Sequence, residues 1–196
     1  MALINFIKTL IPESQYKQIY SSGNTIVYHI GTTFNNEQNT YECYECTVPA
    51  STFNEDKIKE SFSEFIAKIN AIQLKQAKAD KIAEITAYDT SSSVNGFMLN
   101  GLLVWLDKAT RVGLMNSTTI TKAAGQETTT LWLGGLKLVV DCDKAIQLLS
   151  ALEMYALECF NVTASHKAAV GELKTIEDVK AYDYKAGYPK MLEMSV

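Results

Sequence analysis

Asn54-Glu-Asp-Lys-Ile-Lys-Glu-Ser-Phe-Ser-Glu-Phe-Ile-Ala-Lys-Ile-Asn-Ala-Ile-Gln-Leu-Lys-Gln-Ala-Lys-Ala-Asp-Lys-Ile-Ala-Glu-Ile-Thr-Ala-Tyr88 contains neither proline nor glycine. It reads as one long amphipathic helix. Asn54 is a natural N-cap, and Glu55 and Asp56 place negative charge in the first turn, where the helix dipole favours it. At a rise of ~1.5 Å per residue the helix would extend on the order of 50 Å. Its apolar positions step alternately by four and three. This is a heptad, with Phe62, Ile69, Gln76 and Ala83 at a, and Ile58, Phe65, Ile72 and Ala79 at d. The pattern is strong for about two heptads and then softens to Gln and Ala. Two readings follow: the stripe packs on its own domain, or it is an oligomerisation seam of Ile58, Phe62, Phe65, Ile69 and Ile72. In the second reading Gln76 fixes the register of a homotrimer.

Upstream, residues 1–53 read as a short helical start followed by a β-hairpin. Asn24–Ile30 and Tyr41–Val48 are rich in β-branched and aromatic residues, and polar Thr32–Asn39 supplies the loop between them. Along the second strand Tyr41, Cys43, Glu45 and Thr47 alternate with Glu42, Tyr44, Cys46 and Val48. Neither face is purely apolar, so the hairpin is expected to be half exposed or to pair with another element.

Downstream, Tyr88–Gly96 is a polar break and marks a domain boundary, with a C-terminal α+β domain over 89–196. A hairpin over Phe97–Leu106 turns at Asn100-Gly101, the strongest short hairpin signal. Asp107 then caps a short helix ending near Asn116. A second hairpin pairs Glu127–Leu133 with Leu136–Val140 about Gly134-Gly135. Asp141 or Asp143 caps a helix over Ala145–Phe160, whose inner face carries Ile146, Leu149, Leu152, Tyr155 or Ala156, and Cys159. Two short helices, Ala164–Leu173 and Ile176–Tyr182, follow; Thr175 with Asp178 resembles an acidic capping box. Gly187-Tyr188-Pro189 ends helical structure. The fold class is therefore α+β: an N-terminal hairpin and long helix, then two hairpins with several helices.

With 196 residues and 47% hydrophobic content, the chain can bury a core without disulfides or metal. The net charge of -4, with a single arginine at 111, argues against nucleic acid, whose backbone draws clustered Lys and Arg. The start Met1–Lys8 lacks a basic leader, and no stretch reaches the ~20 apolar residues a membrane span needs. Cytoplasmic synthesis and reduced thiols are the expectation for cysteines 43, 46, 142 and 159.

Chemistry-bearing motifs are sparse. Cys43-Tyr-Glu-Cys46 matches C-x-x-C, but in a strand rather than at the helix N-terminus that stabilises a redox thiolate. A zinc site would need further ligands; His29 could reach across the hairpin, so a small zinc- or thiol-dependent enzyme built on Cys43, Cys46 and His29 is kept as the reading from another class. His166 lacks a G-x-S-x-G elbow or other nucleophile motif around it. Glu153 and Glu158 do not share a helix face and give no paired-carboxylate site. No catalytic residue, metal or cofactor is assigned. Trp105, Trp132, Tyr184 and Tyr188 are candidate binding aromatics, because aromatics near turns offer large contact area at little entropy cost; core packing is their other reading.

From Lys81 onward, Leu99-Asn-Gly-Leu-Leu-Val-Trp-Leu-Asp-Lys-Ala-Thr-Arg111 and Tyr182-Asp-Tyr-Lys-Ala-Gly-Tyr-Pro189 resemble the phage-associated domain-of-unknown-function family 4376. In that family an Asn-Gly turn leads into an Asp-capped helix, and a Gly-aromatic-Pro turn closes the domain. Ala151-Leu-Glu-Met-Tyr-Ala-Leu-Glu-Cys159 is similar to versions from gut Bacteroidales phages. The resemblance implies a non-enzymatic tail or tail-fibre component of a tailed phage or prophage, acting by protein–protein binding. Its partners would be other phage structural proteins, not nucleic acid or membrane. Its place would be the host cytoplasm during assembly and then the virion. A transient tail assembly chaperone is the alternative. The family brings no catalytic residues to carry over.

Overall fold

The computed structural model describes residues 4–195. Its architecture is α+β, with helices and several small sheets, and it divides into two compact units, one ending at Gln73 and the other beginning at Leu74. The division falls inside the long helix, not at the helix start (53/54) or at the polar break after Tyr88.

In the first unit, strands β1 (Ile7–Pro12), β2 (Ile19–Ser22), β3 (Thr25–Asn35) and β4 (Thr40–Pro49) form an antiparallel sheet in the order β1-β4-β3-β2. The helical start expected here is corrected: Ile7–Pro12 is a strand paired along β4. Ile-Lys-Thr-Leu-Ile-Pro is poor helix material, and the backbone edge of β4 supplies partners that the local sequence does not reveal. The hairpin arms also run further than expected, through a bulge between Ile30 and Thr33. Gly31 occupies it at φ +67°, and a Cβ there would come within 2.5 Å of the Phe62 ring. One sheet face buries Tyr28, Cys46 and Val48 with Phe6 and with Ile58 of the first half of α1 (Glu55–Asp89). The other face is covered near its middle by Tyr16, which stacks on His29 and Tyr41. Covering on both faces explains why Cys43 and Cys46, which point to opposite sides, are both buried.

The second unit contains the rest of α1 and the short helix α2 (Ser92–Asn95). A sheet of β5 (Gly96–Leu99), β6 (Leu102–Trp105) and β9 (Leu192–Met194) follows, then α3 (Lys108–Ala123), the hairpin β7 (Thr128–Leu133) with β8 (Leu136–Asp141), α4 (Cys142–Glu172) and α5 (Ile176–Ala181). Both turns fall where the sequence places them. Asn100 and Gly101 have φ of 50° and 80°, and Gly134 and Gly135 have 57° and 87°. Paired positive φ values are the type I′ signature, whose twist matches that of the strands. Asp107 accepts from the Thr110 amide at 2.8 Å, Asp141 from the amides of Asp143 and Lys144, and Thr175 from that of Asp178 at 3.0 Å. Asp141, not Asp143, is therefore the cap of α4.

Four expectations are corrected in this unit. Tyr88–Gly96 lies within the unit rather than at its boundary: Val94 is 1% exposed in the core. Its carbonyl accepts from the Tyr155 hydroxyl at 2.6 Å and the Cys159 thiol at 3.2 Å. α3 continues to Ala123 through the β-branched run Thr118-Thr-Ile-Thr121. α4 is one helix of 31 residues, not two, because Thr163, a weak helix former, is held by tertiary hydrogen bonds. The tail supplies β9, which pairs parallel to β5. The core gathers Phe97, Leu99, Val104, Leu131, Leu133 and Val140 from the strands against Leu149 and Leu152 of α4.

Candidate functional site

The expected seam does not stay together as one surface. Ile58 is 1% exposed, and Phe62 and Phe65 pack on Phe6 and Tyr44 with ring centroids 5.3–5.6 Å apart. Those three residues belong to the core of the first unit. Ile69 is half-buried, Gln76 is exposed, and Ile72 is 69% exposed. Gln76 donates to Asp80 along its own helix. From Leu74 onward the stripe facing a core consists of Leu74, Ala77, Ile82 and Ile85. The five-residue step from Ile69 to Leu74 breaks the heptad, so Gln76, Ala79 and Ala83 lie outside the buried stripe.

The four candidate aromatics divide into two pairs. Tyr184 and Tyr188 both meet Tyr88 edge-on, each with centroids 5.6 Å apart, and the Lys81 ammonium lies 5.5 Å from the Tyr184 centroid. Tyr188 donates to the Thr163 hydroxyl at 2.9 Å, which in turn donates to Asp89 at 2.7 Å; that order is forced because the carboxylate only accepts. Burial pushes the Tyr188 phenol up from its ordinary value. Beside it, His166 Nε2 donates to the Ala186 carbonyl, leaving Nδ1 to accept from the Tyr182 hydroxyl, both at 2.9 Å. This constellation fastens the tail onto α1 and α4, and its polar groups satisfy one another rather than facing an opening.

Trp105 and Trp132 behave differently. They are 40% and 60% exposed, on the outer faces of their hairpins. Strand alternation explains the placement: Val104 and Leu131 turn inward, so their neighbours turn out. Opposite Trp105 stands Gly96, and opposite Trp132 stands Lys137. Gly96 cannot be larger, since a Cβ would fall 2.3 Å from the Ser92 carbonyl oxygen. Leu103 and Val139, 56% and 67% exposed, extend the two apolar faces. Each indole, on its own hairpin, thus offers exposed aromatic area beside an aliphatic neighbour, the kind of side chain that carries much of the energy where protein interfaces form.

The cysteine and histidine cluster does not assemble as a metal or thiolate centre. Cys43 and Cys46 point to opposite faces, and burial raises both thiols, that of Cys46 to about 11. His29 is 2% exposed; its Nδ1 donates to the Lys17 carbonyl at 2.5 Å and Nε2 faces the Glu45 carboxylate at 3.2 Å. Both nitrogens are thus engaged by the protein. Among the described residues no three His, Cys, Asp or Glu converge as a metal requires, and no helix is long and apolar enough to cross a membrane.

A family model described as a domain of unknown function, DUF4376, matches residues 76–186. The chain belongs to the DUF4376 family. No curated protein and no solved structure matches it. The DUF4376 match lies within the second unit and takes in Trp105, Trp132 and the Tyr182-Asp-Tyr184 segment, whereas the first unit lies outside it. Two features of the DUF4376 unit escape a reading of the sequence. The lone arginine, Arg111, is buried: its Nε donates to Glu153 at 2.9 Å and its Nη1 to the Leu106 carbonyl at 2.8 Å. That pair ties α3 to α4, and a single arginine in a lysine-rich chain was the available signal, since a planar guanidinium suits a partly buried pair better than an ammonium. The Asp89–Thr163–Tyr188 link joins residues far apart in sequence and leaves no local signature.

Proposed function

We propose that this protein is a non-enzymatic structural component of a tailed phage or prophage, tail- or tail-fibre-associated, that acts by binding other phage proteins. The observation that carries the binding part is the exposure of Trp105 and Trp132 on hairpins within the family domain. A soluble domain leaves indoles on its outer strand faces at a cost in apolar hydration, about 25 cal/mol for each Å², which a partner would recover. The tail attribution rests on the likeness of Leu99–Arg111 and Tyr182–Pro189 to tail-associated domains. Raised, opposed thiols and a fully engaged His29 weigh against a zinc- or thiol-dependent enzyme. The stripe Ile58, Phe62 and Phe65 serves the chain's own core, so a homotrimer through that whole seam would have to displace it.

The test is proteomics of purified particles from cells carrying wild-type protein or the Trp105→Ser/Trp132→Ser double variant. Wild-type protein should copurify with particles in stoichiometric amount. The variant should fold with an unchanged far-UV spectrum yet fall at least about tenfold in particles, as expected when interface aromatics are truncated. Equal incorporation of both would sink the assignment of the surface. Cross-linking to tail proteins in the lysate without presence in particles would replace the structural role with that of a tail assembly chaperone.

A further inference from the structure

Beside β8 in the second unit lies a cavity of about 670 Å³, bounded by Val139, Val140 and Asp141 of that strand, by Lys144, Leu148 and Ala151 on one flank of α4, and by Met194 of β9; the Asp141 carboxylate is turned to the amides of Asp143 and Lys144 as the cap of α4. Among the described residues the sheet of β7 and β8 has two strands. Consecutive residues Val139, Val140 and Asp141, whose side chains alternate between faces, all line the cavity, so it runs along the edge of β8 that is not paired with β7. β9 is likewise the last strand of its sheet. A free strand edge presents a row of backbone N–H and C=O groups, and an extended backbone satisfies that row where a helix or a flat protein surface does not. The floor is apolar at Leu148, and small at Ala151, which leaves depth for an incoming side chain. The Lys144 side chain stands at the rim, exposed, with no ion pair among the described residues.

We propose that this groove takes an extended segment of a partner protein, added as a strand along β8, with alternate apolar side chains over Leu148 and Ala151 and an acidic side chain opposite Lys144. The strand edge sets the backbone form of the occupant; the Asp141 carboxylate is engaged at the helix cap, which leaves the Lys144 ammonium as the lining charge open to an acidic side chain. The groove uses neither exposed tryptophan and shares only Val139 with the Trp132 face, so it constitutes a second binding site. It rests on the protein-binding reading only in taking the occupant to be a polypeptide.

The experiment selects displayed random twelve-residue peptides against the full chain, then measures the synthetic consensus peptide by fluorescence anisotropy. The expected consensus alternates apolar and polar residues and contains one Asp or Glu. Ala151→Trp, at an exposed helix position, should weaken binding at least about tenfold by filling the groove. Lys144→Glu, which keeps a residue favoured in the first helical turn, should reverse the preference between the acidic peptide and its lysine counterpart. Hydrogen exchange at β8 should slow when the peptide is bound. No enriched sequence, a helical spacing in the consensus, or wild-type affinity in both variants overturns the proposal. A fall in the chain's own solution mass on Ala151→Trp would make the occupant a second copy, and overturns it too. Trp105→Ser/Trp132→Ser should bind the peptide normally, so failure at the tryptophan surface and failure at the groove are told apart.

Discussion

Thr163 shows how much one hydroxyl can hold. It stands between Asp89 and Tyr188, at 2.7 and 2.9 Å, and links α4 to the end of α1 and to the tail. Thr163→Val keeps the shape but leaves both partners without their bond, and should cost about 2 kcal/mol; Tyr188→Phe removes one bond and should cost about 1 kcal/mol. Urea unfolding of the single and double variants checks this, and the double should cost less than the sum of the two. Cys46 makes a prediction in pH. Burial raises its thiol from 9.0 to about 11, so the folded state keeps a proton that the unfolded chain gives up sooner. The stability tied to this proton is complete below pH ~9 and is lost as pH rises from about 9 to about 11, amounting to about 2–3 kcal/mol. Cys43 is raised for the same reason and acts in the same direction. Stability measured across that window should decline less steeply in Cys46→Ala. The same burial should make both thiols slow towards iodoacetamide at pH 8 until the chain is denatured.

Among the elements, what was legible in the sequence is what local chemistry decides. Asn54, Asp107 and Thr175 cap their helices because each side chain reaches its own backbone amides. Asn100-Gly101 and Gly134-Gly135 turn because few other residues accept paired positive φ values. What escaped was decided by distant partners. β1 exists because β4 has an edge to offer, β9 because β5 does, and α4 runs through Asn161-Val-Thr163 because Thr163 is held from outside the helix. The surface was half legible: the four aromatics were found, yet only alternation against Val104 and Leu131 separates Trp105 and Trp132, which face solvent, from Tyr184 and Tyr188, which fasten the tail. The long helix carries both lessons. Its extent is plain from the absence of Pro and Gly, but its spacing spells one heptad where two stripes exist. Ile85 is fully buried with Val170 and Val179, whereas Gln76 is exposed. Ile85→Ala should therefore cost about 2–5 kcal/mol, and Gln76→Leu should stay within ~0.5 kcal/mol. Thermal unfolding of the two variants separates the stripes from a continuous heptad, in which Gln76 rather than Ile85 would be the sensitive position.

For the molecule as a whole, the decisive feature is that each unit owns a core. Ile58 belongs to the cluster around Phe6, Tyr28 and Cys46; Leu149 belongs to the cluster around Phe97, Leu131 and Val140. Each is 1% exposed, so truncation to Ala leaves a cavity in one core only and should cost about 2–5 kcal/mol there. Units with separate cores unfold as separate cooperative blocks unless something transmits the loss. The candidate transmitter is α1, which contributes Ile58 to one core and Ile85 to a cluster of the other unit. Its middle, around Gln73, is exposed, so few buried contacts there resist local melting. Scanning calorimetry should therefore resolve two transitions, with Ile58→Ala lowering one by roughly 10 °C and Leu149→Ala lowering the other by a similar amount. If both substitutions instead lowered a single transition together, α1 would be acting as a rigid strut that couples the units. The family domain at 76–186 would then depend for its stability on a sheet outside the family match.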